Sequence, residues 1–169
     1  MEIRLRDVRQ MFHSLDPAPF REKDLDPAAE DYLEEAVRDI GPTRPIRLRI
    51  HLPAAALGSE DARTLPEAIA RHFDYRAAQA GVDLRRLLGR GGVSLAIGLG
   101  FLVLCLWLRT PIAGDPRYAV LAEGLLIIGW VGLWRPVEIF LYDWWPVRRR
   151  LRRFAALSRM PVEVAAGAP

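Results

Sequence analysis

GGVSLAIGLGFLVLCLWL, residues 91–108, carries no charged residue and is bracketed by Arg90 and Arg109. Coiled into an α-helix, a run of this length reaches roughly 27 Å, close to the hydrocarbon thickness of a bilayer. The stretch therefore predicts a transmembrane helix. The alternative is a buried helical hairpin in a soluble core. A long uncharged run flanked by arginines and tryptophans, in a chain this short, weighs against it.

Working outward, YAVLAEGLLIIGWVGLW at 118–134 is a second apolar run, interrupted only by Glu123. RTPIAGDPR at 109–117 joins the two, with Pro111, Gly114 and Pro116 as helix breakers. Two apolar runs and a short turn-rich connector predict a transmembrane helical hairpin, with spans at 91–108 and 118–134. Gly92, Ala96 and Gly100 recur every fourth residue in the first span, and Gly129 and Gly132 offer a matching notch in the second. These small residues are expected at a helix-packing face, within the hairpin or between copies.

The arginines set an orientation. Arg85, Arg86 and Arg90 precede the first span, and Arg148, Arg149, Arg150, Arg152 and Arg153 follow the second, whereas the connector holds only Arg109 and Arg117. By the positive-inside rule both termini are cytoplasmic and the connector lies outside. The opening MEIRLRDVRQ has no apolar signal-peptide core, in keeping with a cytoplasmic start. Charge is segregated along the whole chain: residues 1–84 hold 12 Lys+Arg against 16 Asp+Glu, and residues 85–169 hold 12 against 5. A basic second half faces anionic lipid or nucleic acid. Arginines directly after a span are expected on lipid, each worth about 1 kcal/mol at an anionic surface. No nucleic-acid motif accompanies them.

RPVEIFLYDWWPVRRRLRRF, residues 135–154, embeds Arg135, Glu138 and Asp143 among aromatic residues. Pro136 disfavours α geometry at Arg135, so the second span is expected to break near Trp134 and a shorter interfacial helix to follow. Trp134, Tyr142, Trp144 and Trp145 then form an interfacial belt beside the five basic anchors. Glu123, Arg135, Glu138 and Asp143 are the candidate intramembrane charges. Glu123 lies near the outer end of its span, within reach of Arg117 or Arg109.

Residues 1–88 read as a small α+β domain. Asp26 caps a helix beginning at Pro27, carrying Leu33, Val37 and Ile40 as its apolar stripe and ending at Gly41-Pro42. IRLRIHL, residues 46–52, alternates apolar and polar side chains and is the clearest strand; EIRLRDV, residues 2–8, is a weaker one. TLPE at 64–67 resembles a capping box, and Ile69, Phe73, Ala77, Ala80, Leu84 and Leu87 make an amphipathic stripe after it. Gly89, Gly91 and Gly92 permit a bend before the first span. The tail VEVAAGAP reads as frayed. One or two strands make no stable sheet alone, so this domain is expected to complete itself with its helices, the membrane surface or a second copy. The predicted fold class is thus membrane α+β, with a domain at 1–88, a hairpin at 89–134 and an interfacial helix and tail at 135–169.

Catalytic chemistry has little to build on. His13, His51 and His72 are scattered, with no HExxH, GxSxG, P-loop or GxGxxG motif around them. Asp24, Asp26, Glu30 and Asp31 cluster where a helix dipole favours acids. Cys105 is alone in an apolar run, so no intrachain disulfide exists. No catalytic residue, metal site or cofactor is implied.

Four phrases together, SLDPAPFREKDLDPAAEDYL (14–33), RLRIHLP (47–53), HFDYRAAQAGVDLRRLL (72–88) and GWVGLWRPVEIFLYDWWPVRRR (129–150), carry a resemblance. The chain resembles a family of small, conserved, uncharacterised bacterial inner-membrane proteins, most specifically through WRPVEIFLYDWWP. The resemblance implies two spans and a cytoplasmic N-terminal domain, and no activity. The expected role is an oligomeric, membrane-anchored scaffold or interaction module with anionic lipids and a cytoplasmic protein as partners. A small oligomeric channel or transporter with acids lining a path is the alternative, and a membrane-surface enzyme ranks last.

Overall fold

The computed structural model describes residues 1–12, 24–41 and 46–166. Most of the described residues are helical, and among them three short strands form a parallel sheet in the order β1-β2-β3. The chain divides into two compact units, one made of Met1–Ala80 with Arg149–Pro169 and the other of Gly81–Arg148.

In the first unit, β2 (Leu48–Leu52) is the central strand. Its alternation places Leu48, Ile50 and Leu52 in the core, each fully buried, and leaves Arg49 outside. β1 (Glu2–Arg4) pairs with it so that Ile3 stands beside Ile50. The third strand corrects the expectation of a frayed tail. β3 (Val162–Ala166) runs parallel to β2, with Val162 beside Leu48 and Val164 beside Ile50. Val162 and Val164 sit on alternate positions and pack against the core, which is why the segment holds as a strand. The chain thereby completes its own sheet, and the sheet makes no demand for strands from a second copy. On the opposite face Arg49 reaches Glu163 at 3.2 Å and Glu2 at 3.8 Å, tying the three strands with charge.

α1 (Pro27–Ile40) begins as read: the Asp26 carboxylate accepts from the Ala28 N–H at 2.9 Å, and proline occupies the first turn. It ends at Gly41, whose φ of 88° lies in the left-handed region that glycine adopts without a Cβ penalty. Pro42 falls outside the described residues. α2 (Ala54–Leu57) is one turn, and α3 (Glu60–Arg109) follows at once. The cap of α3 is Ser59, whose hydroxyl accepts from the Ala62 N–H at 3.2 Å. Thr64, expected as the cap, instead lies inside the helix with its hydroxyl on the Glu60 carbonyl at 3.0 Å. The earlier serine already satisfies the first free N–H groups, so the helix starts a turn sooner. Leu65, Ile69 and Phe73 of α3 meet Leu33 and Val37 of α1 in one core.

α6 (Trp144–Ser158) supplies the remaining large core residues, Phe154 and Leu157. Phe154 stacks on Phe73 with ring centroids 6.2 Å apart. The guanidinium groups of Arg76 and Arg150 each lie over the Phe154 ring, at 5.5 and 5.2 Å.

The second unit is an antiparallel pair of helical stretches. α3 continues through Gly89, Gly91 and Gly92 as uninterrupted helix. After a turn and a 3-10 segment at Pro116–Tyr118 come α4 (Ala119–Val131), α5 (Trp134–Glu138), a π-helical turn at Ile139–Asp143 and α6. Apart from Ile139, which packs at Gly91, the buried positions are small and seven apart: Gly91, Gly98 and Cys105 on one side, Ala122, Gly129 and Pro136 on the other. Spacing of seven keeps one face of each helix on its neighbour, and missing side chains bring the backbones close. A Cβ on Gly98 would stand 2.7 Å from the Gly132 carbonyl oxygen, and one on Gly129 would stand 3.2 Å from the Cys105 Cβ.

The helix breaks near Trp134 as expected, but not through Arg135. Arg135 keeps α geometry within α5, and the irregularity falls upstream at Gly132 and Leu133. A proline at 136 has no N–H for the Gly132 carbonyl, so the helix tightens one turn earlier. The Leu133 N–H there donates to Trp130, three residues back, at 3.0 Å. Both Glu60–Arg109 and Pro116–Ser158 contain stretches long and apolar enough to cross a membrane, and only 17% of each such stretch is buried.

Candidate functional site

Two side-chain clusters combine polar groups in ways that go beyond packing. The first lies in the unit containing the sheet. His72, Tyr75, Arg76 and Gln79 project from one face of α3 beside Asp24 and Glu30, lining a cleft of about 560 Å³. Spacings of three, four and seven residues place the four α3 side chains on a common face.

His72 is the buried member, its side chain 5% exposed. Its Nδ1 accepts from the Leu25 N–H at 3.5 Å, which puts the proton of a neutral ring on Nε2. That nitrogen lies 3.5 Å from Glu30 Oε2, and no hydrogen bond satisfies it. Glu30 is held from its other side, where Arg76 Nε donates to Oε1 at 2.7 Å and Arg76 Nη2 also contacts it. Asp24 Oδ1 stands 3.3 Å from His72 Nδ1.

This arrangement narrows the chemistry. The two carboxylates flank opposite ring nitrogens, so one metal ion cannot reach both, and among the described residues no group of three ligands converges. Both ring nitrogens face neighbouring groups, Nδ1 the Leu25 N–H and Asp24, Nε2 Glu30. What remains is a cleft of mixed donors and acceptors suited to binding. The sequence showed its parts separately, with Asp24 and Glu30 at a helix start and His72 beside an apolar stripe. Only the packing of α1 on α3 unites residues 46 positions apart, such as Glu30 and Arg76. His13 lies outside the described residues, and His51 pairs with Glu2 at 3.4 Å on the sheet's polar face.

The second cluster belongs to the hairpin unit. Glu138 accepts from Trp134 Nε1 at 3.0 Å and from Arg135 Nη1 at 3.1 Å, while Asp143 stands 3.5 Å from the same arginine nitrogen. In a regular α-helix an eight-residue separation rotates Asp143 about 80° away from Arg135. The π-helical turn between them absorbs one extra residue and restores the alignment. Three of the four candidate charges are thus brought together, half-exposed. Glu123 is not: it is exposed on α4, and among the described residues neither Arg109 nor Arg117 pairs with it.

The anchor residues divide. Trp134, Tyr142 and Trp145 are exposed, and Trp144 lies beneath the Arg148 guanidinium at 5.3 Å. Arg150 and Arg153 turn toward the buried carboxylate of Glu34, at 3.6 and 4.0 Å. Arg149 and Arg152 are exposed. The packing face also shifts from expectation: Gly129 and Gly132 lie on it, but Gly92 and Gly100 meet nothing and Ala96 is exposed. Gly91 and Gly98 hold the positions assigned to Gly92 and Gly100, because period seven, and not period four, keeps a face on a neighbouring helix.

Comparison of the chain with protein-family models, curated proteins and solved structures finds no match.

Proposed function

We propose that the chain is an integral membrane protein whose two spans anchor a folded domain, and that this domain acts as an interaction module. The observation that carries the reading is the exposed apolar surface of the hairpin unit. Ile97, Trp107, Val120 and Ile127 are each more than 60% exposed on helices of spanning length. A continuous apolar surface of this kind is costly in water and favourable in lipid. Core helices of a soluble protein would be mostly buried, and these are not. The arginine distribution supports cytoplasmic termini, and the resemblance supports a bacterial inner membrane.

Arg148 and Arg152 are the residues best disposed to meet anionic lipid, since Glu34 draws Arg150 and Arg153 into the folded domain. The Arg135, Glu138 and Asp143 cluster serves this reading as mutual neutralisation of charge near the end of a span. An oligomeric channel is the second reading, favoured by Glu123, which carries its charge on an exposed apolar helix without a partner among the described residues.

Cysteine labelling tests the topology. Cys105 is 2% exposed and should resist maleimide, whereas Gly114→Cys, at a position where a Cβ meets nothing, should react with an impermeant maleimide added outside intact cells. Extraction of the protein by alkaline carbonate, or labelling of Gly114→Cys only after lysis, contradicts the proposed arrangement. Flux through proteoliposomes that is abolished by Glu123→Gln would favour the channel.

A further inference from the structure

We infer that the His72 cleft is a binding site for a neutral vicinal polyol, the chemistry of a sugar ring. The inference is independent of the membrane reading, because every residue of the cleft lies within Met1–Ala80. A volume of about 560 Å³ accommodates a small organic molecule. The chemistry of the lining selects which kind.

Within the cleft one buried ring nitrogen of His72 lacks a hydrogen-bond partner and stands beside a carboxylate oxygen of Glu30. That nitrogen is Nε2, and Glu30 Oε2 lies 3.5 Å from it, beyond a good hydrogen bond. A hydroxyl group accepts from the first and donates to the second, so one atom of a ligand fits between them. An ammonium group would satisfy Glu30 and leave the imidazole N–H facing a cation. An anion would satisfy the imidazole and meet the carboxylates of Glu30 and Asp24.

The rest of the cleft repeats this pairing of opposites. Gln79 carries a donor and an acceptor on one amide, and Asp24 provides a carboxylate. Arg76 is already matched to Glu30, so the cleft offers no unopposed cation among the described residues. Adjacent hydroxyls, each both donor and acceptor, suit such an alternating lining. Tyr75, 60% exposed at the cleft, offers a ring on which the C–H face of a sugar can lie.

The test follows the His72 ring by NMR in the full chain, labelled at histidine and held in phosphatidylcholine nanodiscs. The chain has three histidines, so His13→Gln and His51→Gln assign the spectrum. Methyl β-glucopyranoside and myo-inositol are titrated as probes, with acetate and n-butylammonium as charged controls. A parallel series in nanodiscs containing a glucosyl lipid separates free sugar from a lipid headgroup. The expected result is a saturable shift of His72 with a polyol in at least one series, and none with either control. Tyr75→Ala and Gln79→Ala, both at the cleft rim, should each weaken binding roughly fivefold to tenfold, with thermal unfolding unchanged as proof that the domain is intact. No saturable response to polyols, a response to acetate or butylammonium of equal strength, or undiminished binding in both variants overturns the inference.

Discussion

Gly98→Ala and Gly100→Ala, two residues apart on one helix, should move stability in opposite directions. At Gly98 the new Cβ would stand 2.7 Å from the Gly132 carbonyl oxygen and 3.0 Å from Leu133 Cδ2, whereas ordinary contact begins near 3.4 Å. The carbonyl is backbone and cannot swing aside, so the helices must part by several tenths of an ångström. Overpacking of this kind costs about 1–3 kcal/mol. The Gly98 hydrogen that the methyl group replaces points at the same oxygen, and a C–H···O contact adds about 0.5–1 kcal/mol. Against this, alanine gains about 1 kcal/mol in helix propensity. The net expectation is a loss of about 1–2 kcal/mol. At Gly100 nothing lies within 4 Å, so only the propensity gain remains. The pair should therefore differ by about 2 kcal/mol or more, a factor of roughly 30 in the unfolding equilibrium. SDS titration of the protein in micelles, read by energy transfer between labels on the two helices, measures both. Equal midpoints, or stabilisation by Gly98→Ala, would refute the period-seven packing face.

Ending the chain after Met160 removes β3 and should cost at least about 2 kcal/mol, from lost apolar burial and ladder hydrogen bonds; faster amide exchange across Leu48–Leu52 would report it. Phe154→Ala should cost about 3–5 kcal/mol in urea unfolding of the sheet-bearing domain, and a loss under 1 kcal/mol would remove Phe154 from its core. Glu123→Leu should favour membrane insertion by about 1 kcal/mol or more, because it exchanges an exposed carboxylate for an apolar side chain. A loss in a translocon insertion assay would instead show that Glu123 has a partner in the bilayer. Asp143→Asn should change hairpin stability by less than about 1 kcal/mol, since its ion pair is largely exposed; a larger loss would mean that the pair is shielded from water.

The apolar runs, the capped helix α1 and the alternating strand β2 were legible because each depends on short-range periodicity alone. Leu48, Ile50 and Leu52 share a face by the geometry of any extended chain, and Asp26 caps its helix through a bond two residues long. The first turn of α3 was less clear, because Ser59 and Thr64 both offer a capping hydroxyl and the choice depends on where packing lets the helix begin. β3 escaped notice for a different reason. VEVAA is too short and alanine-rich to declare itself, and it holds only because β2 presents an edge for it.

The positions of the charges show the same division. The sequence by itself determined which segments are apolar enough for a bilayer, that arginines cluster before the first and after the second, and that Arg135 and Glu138 share a helical face. Tertiary structure decided that Asp143 joins them, since a π-helical turn adds a residue that no periodicity announces. It also decided that Arg150 and Arg153 turn to Glu34, and that Gly91, Gly98 and Cys105 form the packed face of the hairpin. The His72 cleft belongs wholly to this second category. Hydrogen bonds between residues far apart in the chain exist only once hydrophobic burial has laid α1 against α3, and their partners leave no periodic trace in the sequence.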